Sequence, residues 1–134
     1  MAAYVLDTSA IMSVLFEEAG ASKVLELLGE ASRGDCRISL PFIALMEAEY
    51  WLLRRLPKEA EPSLLLVQNW PVKVEESYLE WRHQAARLKA SFPLSVADAW
   101  IAALAIIQDA ELVHKDPQFE RIRDLKTLRL PYKG

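Results

Sequence analysis

Short apolar runs alternate with longer segments of helical periodicity along the whole chain. Tyr4, Val5 and Leu6 form an unbroken apolar run, the pattern of a strand covered on both faces. The polar triplet Asp7-Thr8-Ser9 then turns the chain into a helix, with Thr8 or Ser9 suited to be its N-cap. ASKVLELLGEA has apolar residues at helical spacing and ends near Gly34, and RISL, at residues 37 to 40, reads as a second strand. Pro41 fits the first turn of a helix through FIALMEAEYWLLRRL, which stops before Pro57. Residues 59 to 69 suggest another short helix, Val72 to Val74 a third strand, and SYLEWRHQAARLKA the helix after it. LSVADAWIAALAII opens at Ser95 and is rich in alanine, which lets a helix lie close to a sheet or another helix. Leu112 to His114 predicts a strand ending in an acid, and TLRL a weaker final one. Such alternation implies an α/β layer architecture. In open parallel sheets ligands bind at the carboxyl ends of the strands, where Asp7 falls.

A length of 134 residues fits one domain, expected over 1–134, with a core that needs no disulfide. Hydrophobic residues make up 52% and charged residues 26%, which excludes disordered and collagen-like classes. No apolar run approaches the ~18 residues of a membrane span, and no basic segment precedes an apolar one at the amino terminus. The expected location is the cytoplasm, with no membrane partner. The single cysteine, Cys36, has no second thiol and reads as a small core residue. A net charge of -3 argues against a general nucleic-acid-binding surface. A pocket of carboxylates recruiting cations would itself make the charge negative, with basic residues such as Arg54, Arg55 and Lys58 gathered at a rim.

Four acids recur where the chain meets one edge of such a sheet: Asp7 after the first strand, Glu47 inside the third helix, Asp98 in the opening turn of LSVADAW, and Asp116 after ELVH. Each has a local explanation. Ser95-x-x-Asp98 matches a capping box, and Asp116-Pro117 is a turn opener. Together they are harder to explain as caps, because gathered carboxylates repel and raise one another's pKa unless a cation neutralises them. Oxygen ligands without His or Cys suit Mg²⁺ or Mn²⁺.

YVLDTSAIM, ALMEAEYWLLRR, LSVADAWIAALAI and ELVHKDPQFERI together resemble the PIN domain, and in particular the VapC toxins of toxin-antitoxin modules. The resemblance runs from residue 4 to about residue 130, and its specific parts are the opening Asp-Thr-Ser and Leu-Ser-x-Ala-Asp-Ala-x-Ile-Ala. It implies a three-layer α/β/α sandwich with a central, mainly parallel sheet. It further implies an acidic pocket of Asp7, Glu47, Asp98 and Asp116 that holds Mg²⁺ or Mn²⁺ and cuts RNA, a VapB-like antitoxin that covers the pocket, and a homodimer. Many members carry a further acid two places beyond the last, whereas this chain reads Asp116-Pro117-Gln118-Phe119, so a fifth carboxylate is missing and any second ion is more weakly held.

Glu47 competes with Glu49. On a helical wheel Glu49 lies amid Leu45, Met46, Leu52, Leu53 and Leu56, while Glu47 shares its side with Ile43, Tyr50, Trp51 and Arg54. Glu47 occupies the family's place and Glu49 is the reserve. Phosphodiester hydrolysis needs an activated water and neutralised phosphate oxygens. Asp7, Asp98 and Asp116 are the expected metal ligands, directly or through water. Glu47 is expected to position or deprotonate the attacking water, leaving 5′-phosphate and 3′-hydroxyl ends. Ser9 is a candidate to orient a ligand or phosphate from behind Asp7, and helix capping explains it and Thr8 equally well. His83 and His114 are not needed, and the four tryptophans read mostly as packing residues. The competing reading is a non-catalytic PIN-like module that binds RNA or protein. Phosphotransfer through an aspartyl phosphate is disfavoured, because the place two residues after Asp7 is Ser9 and not a second Asp.

Overall fold

The computed structural model describes residues 1–132, so the last two positions of the expected domain lie outside the described residues. The elements run β1 (Ala2–Leu6), α1 (Thr8–Leu15), α2 (Ala21–Ser32), β2 (Cys36–Pro41), α3 (Phe42–Arg55), α4 (Ala60–Gln68), β3 (Lys73–Glu75), α5 (Leu79–Ser91), α6 (Val96–Ile107), β4 (Glu111–His114) and β5 (Lys126–Arg129). A 3-10 turn, Pro117–Arg121, links the last two strands. The sheet order is β3-β2-β1-β4-β5 and every pairing is parallel. The helices flank this sheet. Right-handed connections put those between β1 and β3 over one face, and the reversal of direction from β3 back to β4 puts the next pair over the other.

Burial follows from that order. Val5 and Leu6 of β1, Leu40 of β2 and Leu112 and Val113 of β4 are fully buried, whereas the edge strands β3 and β5 are short and largely exposed. Edge strands of this kind leave little template for further pairing. Helix α6 approaches closely through Ala99, Ala102, Ala103 and Ala105, all buried. Trp81 is fully buried, donates from Nε1 to the carbonyl of Trp100 at 2.6 Å, and meets Phe42 and Trp100 edge-on at 5.6 and 5.0 Å. Cys36 is buried with its thiol against the Leu27 carbonyl, as a small core residue should be. No single helix among the described residues is long and apolar enough to cross a membrane.

Three local expectations change. Asp7, and neither Thr8 nor Ser9, is the N-cap of α1: its carboxylate accepts the Ser9 amide at 3.2 Å. Pro41 ends β2 and caps α3 from outside, because its extended ψ of 139° still belongs to the strand. The third strand lies one residue later than Val72–Val74, paired to β2 through Ser39, Leu40 and Pro41.

The order of strands fixes where a ligand fits. β1 is followed in space by β2 on one side and β4 on the other, so connections leave their carboxyl ends in opposite directions and open a crevice between them.

Candidate active site

Asp7 follows β1 and Asp116 follows β4, so the two strands flanking the crevice each end in an aspartate. Asp98 stands in the first turn of α6, and Glu47 on the second turn of α3. All four line one cleft of about 300 Å³, together with Thr8, Ser9, Met12, Phe16, Glu18, Trp51 and Arg55. Glu49 is exposed on the other flank of α3, beside Leu53, Leu64 and Leu65.

Capping and clustering turn out to be compatible. Asp7 caps α1 through Oδ2, and Asp116 caps the 3-10 turn by accepting the Gln118 amide on Oδ1 at 2.9 Å. Each cap commits one oxygen and leaves the second outside the capping bond. Ser95 caps α6, its Oγ accepting the Asp98 amide at 3.1 Å, and Asp98 sits in the turn so opened. Three carboxylates thus lie at helix starts, where unpaired amides and the helix dipole favour negative charge.

Thr8 and Ser9 do more than begin a helix. Thr8 Oγ1 donates to Glu47 Oε1 at 2.6 Å, linking α1 to α3. Ser9 Oγ donates to Asp7 Oδ2 and accepts the amide of Lys115 at 2.9 Å. The triplet Asp7-Thr8-Ser9 therefore supplies an acid, a clamp on a second acid, and a clamp on the first.

The electrostatics are those of crowded anions. Asp7 is buried and its carboxyl is pushed up to about 7, mainly by loss of solvent and further by the charge of Asp98, against the lowering effect of the Ser9 hydroxyl. Asp98 is pushed up to about 6 by partial burial first, then by Asp116 and Glu47, with Ser95 opposing. A divalent cation would relieve both shifts at once.

His114 lies outside the cleft. It is fully buried, its Nδ1 accepts the Asp116 amide at 3.0 Å, and its Nε2 meets Glu120 Oε2 at 2.7 Å. Because Nδ1 accepts, Nε2 carries the proton and the ring is neutral; burial pushes its pKa down despite Glu120. It orients the backbone beneath Asp116 and is not among the residues lining the cleft. His83 is exposed on α5.

No three His, Cys, Asp or Glu side chains among the described residues stand close enough to ligate one ion directly. The donor set, carboxylates and hydroxyls with no nitrogen or sulfur, still suits a hard cation that keeps most of its own water and takes one or two carboxylates directly, as Mg²⁺ does. The site fits that mode of binding and not a closed protein cage.

Trp51 and Arg55 also line the cleft; from the sequence Arg55 is only one of several candidate rim cations, and Trp51 one of four tryptophans that read mostly as packing residues. With Glu47 they repeat every four residues along α3, the spacing that stacks side chains on one helix stripe. That spacing from the favoured glutamate was available as a signal.

A parallel α/β sheet with acids converging on its switch-point crevice defines a class of acidic-cleft α/β proteins. Within that class, the PIN domain family model matches residues 4–125, and the chain belongs to that family. No curated protein sequence matches it. Among solved structures it is similar to VapBC2 from Rickettsia felis bound to a DNA fragment from their promoter, with a TM-score of 0.79, 19% identity, and coverage of 96% of this chain and 99% of that one. DNA-bound VapBC from Salmonella typhimurium gives a TM-score of 0.74 at 21% identity over 96% and 98% of the two chains. Mycobacterium tuberculosis VapC20, a Sarcin-Ricin loop cleaving toxin, gives 0.68 at 16% identity over 88% and 93%. At these identities the likeness is one of fold.

Proposed function

We propose that this protein is a metal-dependent endoribonuclease, the toxin of a VapBC-type pair. The observation that carries the reading is the meeting of Asp7, Glu47, Asp98 and Asp116, from four separate segments, in one cleft at the switch point of a PIN fold. Support for RNA as substrate comes from similarity of fold to a toxin that cleaves the Sarcin-Ricin loop. Support for a VapB-like antitoxin comes from similarity of fold to chains of VapBC assemblies.

Asp7, Asp98 and Asp116 would hold Mg²⁺ or Mn²⁺, partly through its waters. When bound, the ion supplies neutralisation of phosphate charge and acidification of a water. Glu47, aimed by Thr8, accepts the proton of the attacking water. Ser9 keeps Asp7 in place. Hydrolysis leaves a 5′-phosphate and a 3′-hydroxyl. The same reading takes the chain as a single cytoplasmic domain acting as a homodimer, and the exposed Leu65 and Leu66 of α4 are available for apolar contact with a partner.

Incubating the purified protein with total RNA, with and without Mn²⁺, and mapping the new ends tests this. Metal-dependent cuts with 5′-phosphates that disappear in Asp98→Asn support it. RNA left intact in the presence of Mn²⁺ overturns catalysis and leaves the non-catalytic binding module.

A further inference from the structure

Among the described residues, Arg55 is the one cation lining a cleft that also presents Asp7, Glu18, Glu47, Asp98 and Asp116. A guanidinium beside so many carboxylates would ordinarily turn to one of them. Arg55 does not: none of the ion pairs or side-chain hydrogen bonds among the described residues involves it, and Glu18 is taken by Lys115 at 3.4 Å. Two rings hold it instead. Its Cζ lies 4.9 Å from the centroid of Trp51 and 5.6 Å from that of Phe16. Stacking uses the faces of a guanidinium and leaves its in-plane N–H donors unspent. Those donors are the ones that match phosphate oxygens in a fork.

Trp51 carries the second half of the observation. Its ring is braced by Tyr50, whose centroid is 5.1 Å away, yet 38% of the residue stays exposed at the cleft. Four residues before it on the same stripe stands Glu47. A ring and a free guanidinium, side by side and one helical turn apart from an active-site acid, present a surface for a base and a surface for a phosphate.

We propose that Trp51 and Arg55 form a seat for one unpaired nucleotide beside the acidic cleft, with the indole stacking on the base and the guanidinium, held by Phe16 and Trp51, binding its phosphate. A paired base keeps its faces against its neighbours, so the seat selects single-stranded or looped RNA. Both are positioning residues. This rests on the reading of the cleft as one that cuts RNA.

Two measurements on the full chain test it. The first is binding of a short single-stranded oligoribonucleotide, and of the same strand annealed to its complement, by fluorescence anisotropy in EDTA, so that nothing is cut. The second is steady-state cleavage in Mn²⁺. Trp51→Leu should weaken single-strand binding roughly tenfold or more, the loss of one base-aromatic stack. Arg55→Ala should weaken it and flatten the salt dependence by roughly 0.7 in log-log slope, one phosphate contact to a single strand. Arg55→Lys, which keeps charge and loses the planar fork, should fall between Arg55→Ala and wild type. Both Trp51→Leu and Arg55→Ala should raise KM with kcat nearly unchanged. Arg37→Ala removes an exposed charge near the amino end of β2, away from the cleft, and should behave as wild type. Both changed residues are on the surface, and an unchanged melting temperature certifies the fold.

Wild-type affinity and salt slope in both variants overturn the seat, including the case in which these side chains serve a polypeptide instead. Equal affinity for the annealed duplex, or a fall in kcat without a rise in KM, also overturns it. Wild type that binds single strands through these two residues yet leaves RNA uncut with Mn²⁺ supports the seat and ends the nuclease reading. Normal cleavage by both variants does the reverse.

Discussion

The hydroxyl of Ser9 accepts the backbone N–H of Lys115 at 2.9 Å, although the two residues are 106 apart in the chain. It is the strap across the crevice between β1 and β4. The same hydroxyl donates to Asp7, so one oxygen both closes the crevice and holds the acid inside it.

Removing that hydroxyl leaves a partly buried amide without its partner. Ser9→Ala should lose about 1 to 3 kcal/mol, read as a fall of several degrees in Tm, while Ser9→Thr retains most of the loss-prone bonds and falls less. A Ser9→Ala protein melting with wild type would show that the strap carries no stability.

Asp7 makes stability fall as pH rises. Its folded pKa of about 7 lies above the ordinary 3.8, so between roughly pH 4 and pH 7 the folded chain holds a proton that the unfolded chain has released. The full benefit of the proton is present below pH 4 and is gone above pH 7. Asp7→Asn is therefore expected to match wild type in acid and to exceed it by a few kcal/mol at pH 8, while losing cleavage. Thermal melts of both proteins across that range check the sign; an Asn variant less stable at pH 8 contradicts it.

Added Mn²⁺ or Mg²⁺ should raise the wild-type Tm most at pH 8, by the mass action of a ligand that binds only the folded state. Protons compete for Asp7 and Asp98, so affinity should weaken as pH falls through 7 to 6, and binding in that range should release protons. Calorimetry in two buffers of different ionisation heat reads that release. Asp98→Asn should blunt it.

His114 works in the opposite direction. Its pKa is pushed below 6.5 in the folded chain, so below pH 6.5 the unfolded chain binds the extra proton and stability falls as pH drops. His114→Ala opens a cavity against Phe119, whose ring lies 5.1 Å away, and orphans the Asp116 amide, costing on the order of 3 kcal/mol. The variant should also lose the histidine's opposing contribution, so that its stability falls more steeply with rising pH between pH 5 and pH 7 than that of wild type, measured by urea titration.

The two glutamates of α3 separate by where they sit. Glu47→Gln should abolish cleavage with little change in Tm, and Glu49→Gln should leave both near wild type. Loss of activity on changing Glu49 alone would move the reacting acid out of the cleft.

The wheel of α3 shows why periodicity did not choose between them. Its buried side is Ala44, Ala48 and Leu52, while Met46 and Leu53 are 54% and 55% exposed. Close packing against neighbouring elements uses small residues, and the larger apolar ones stand on an open flank. A pattern weighted by hydrophobicity therefore points at the wrong side. The strands and helices themselves were legible because their apolar runs and caps are local. Capping assignments at Asp7 were less so, since Asp, Thr and Ser are all good N-caps and stand in succession.

The order of residues alone determined that short buried strands alternate with helices, that acids stand at the ends of the first and fourth strands, and that an apolar helix opens at Ser95 beside Asp98. Those are consequences of side-chain period and turn chemistry, which act over a few residues. Only the tertiary structure decided that Ser9 reaches Lys115, that Thr8 grips Glu47, that Glu49 faces away, and that Arg55 leans on two rings among carboxylates it does not pair with. These depend on which strands lie next to one another, and chain segments far apart in sequence meet only once the sheet has formed.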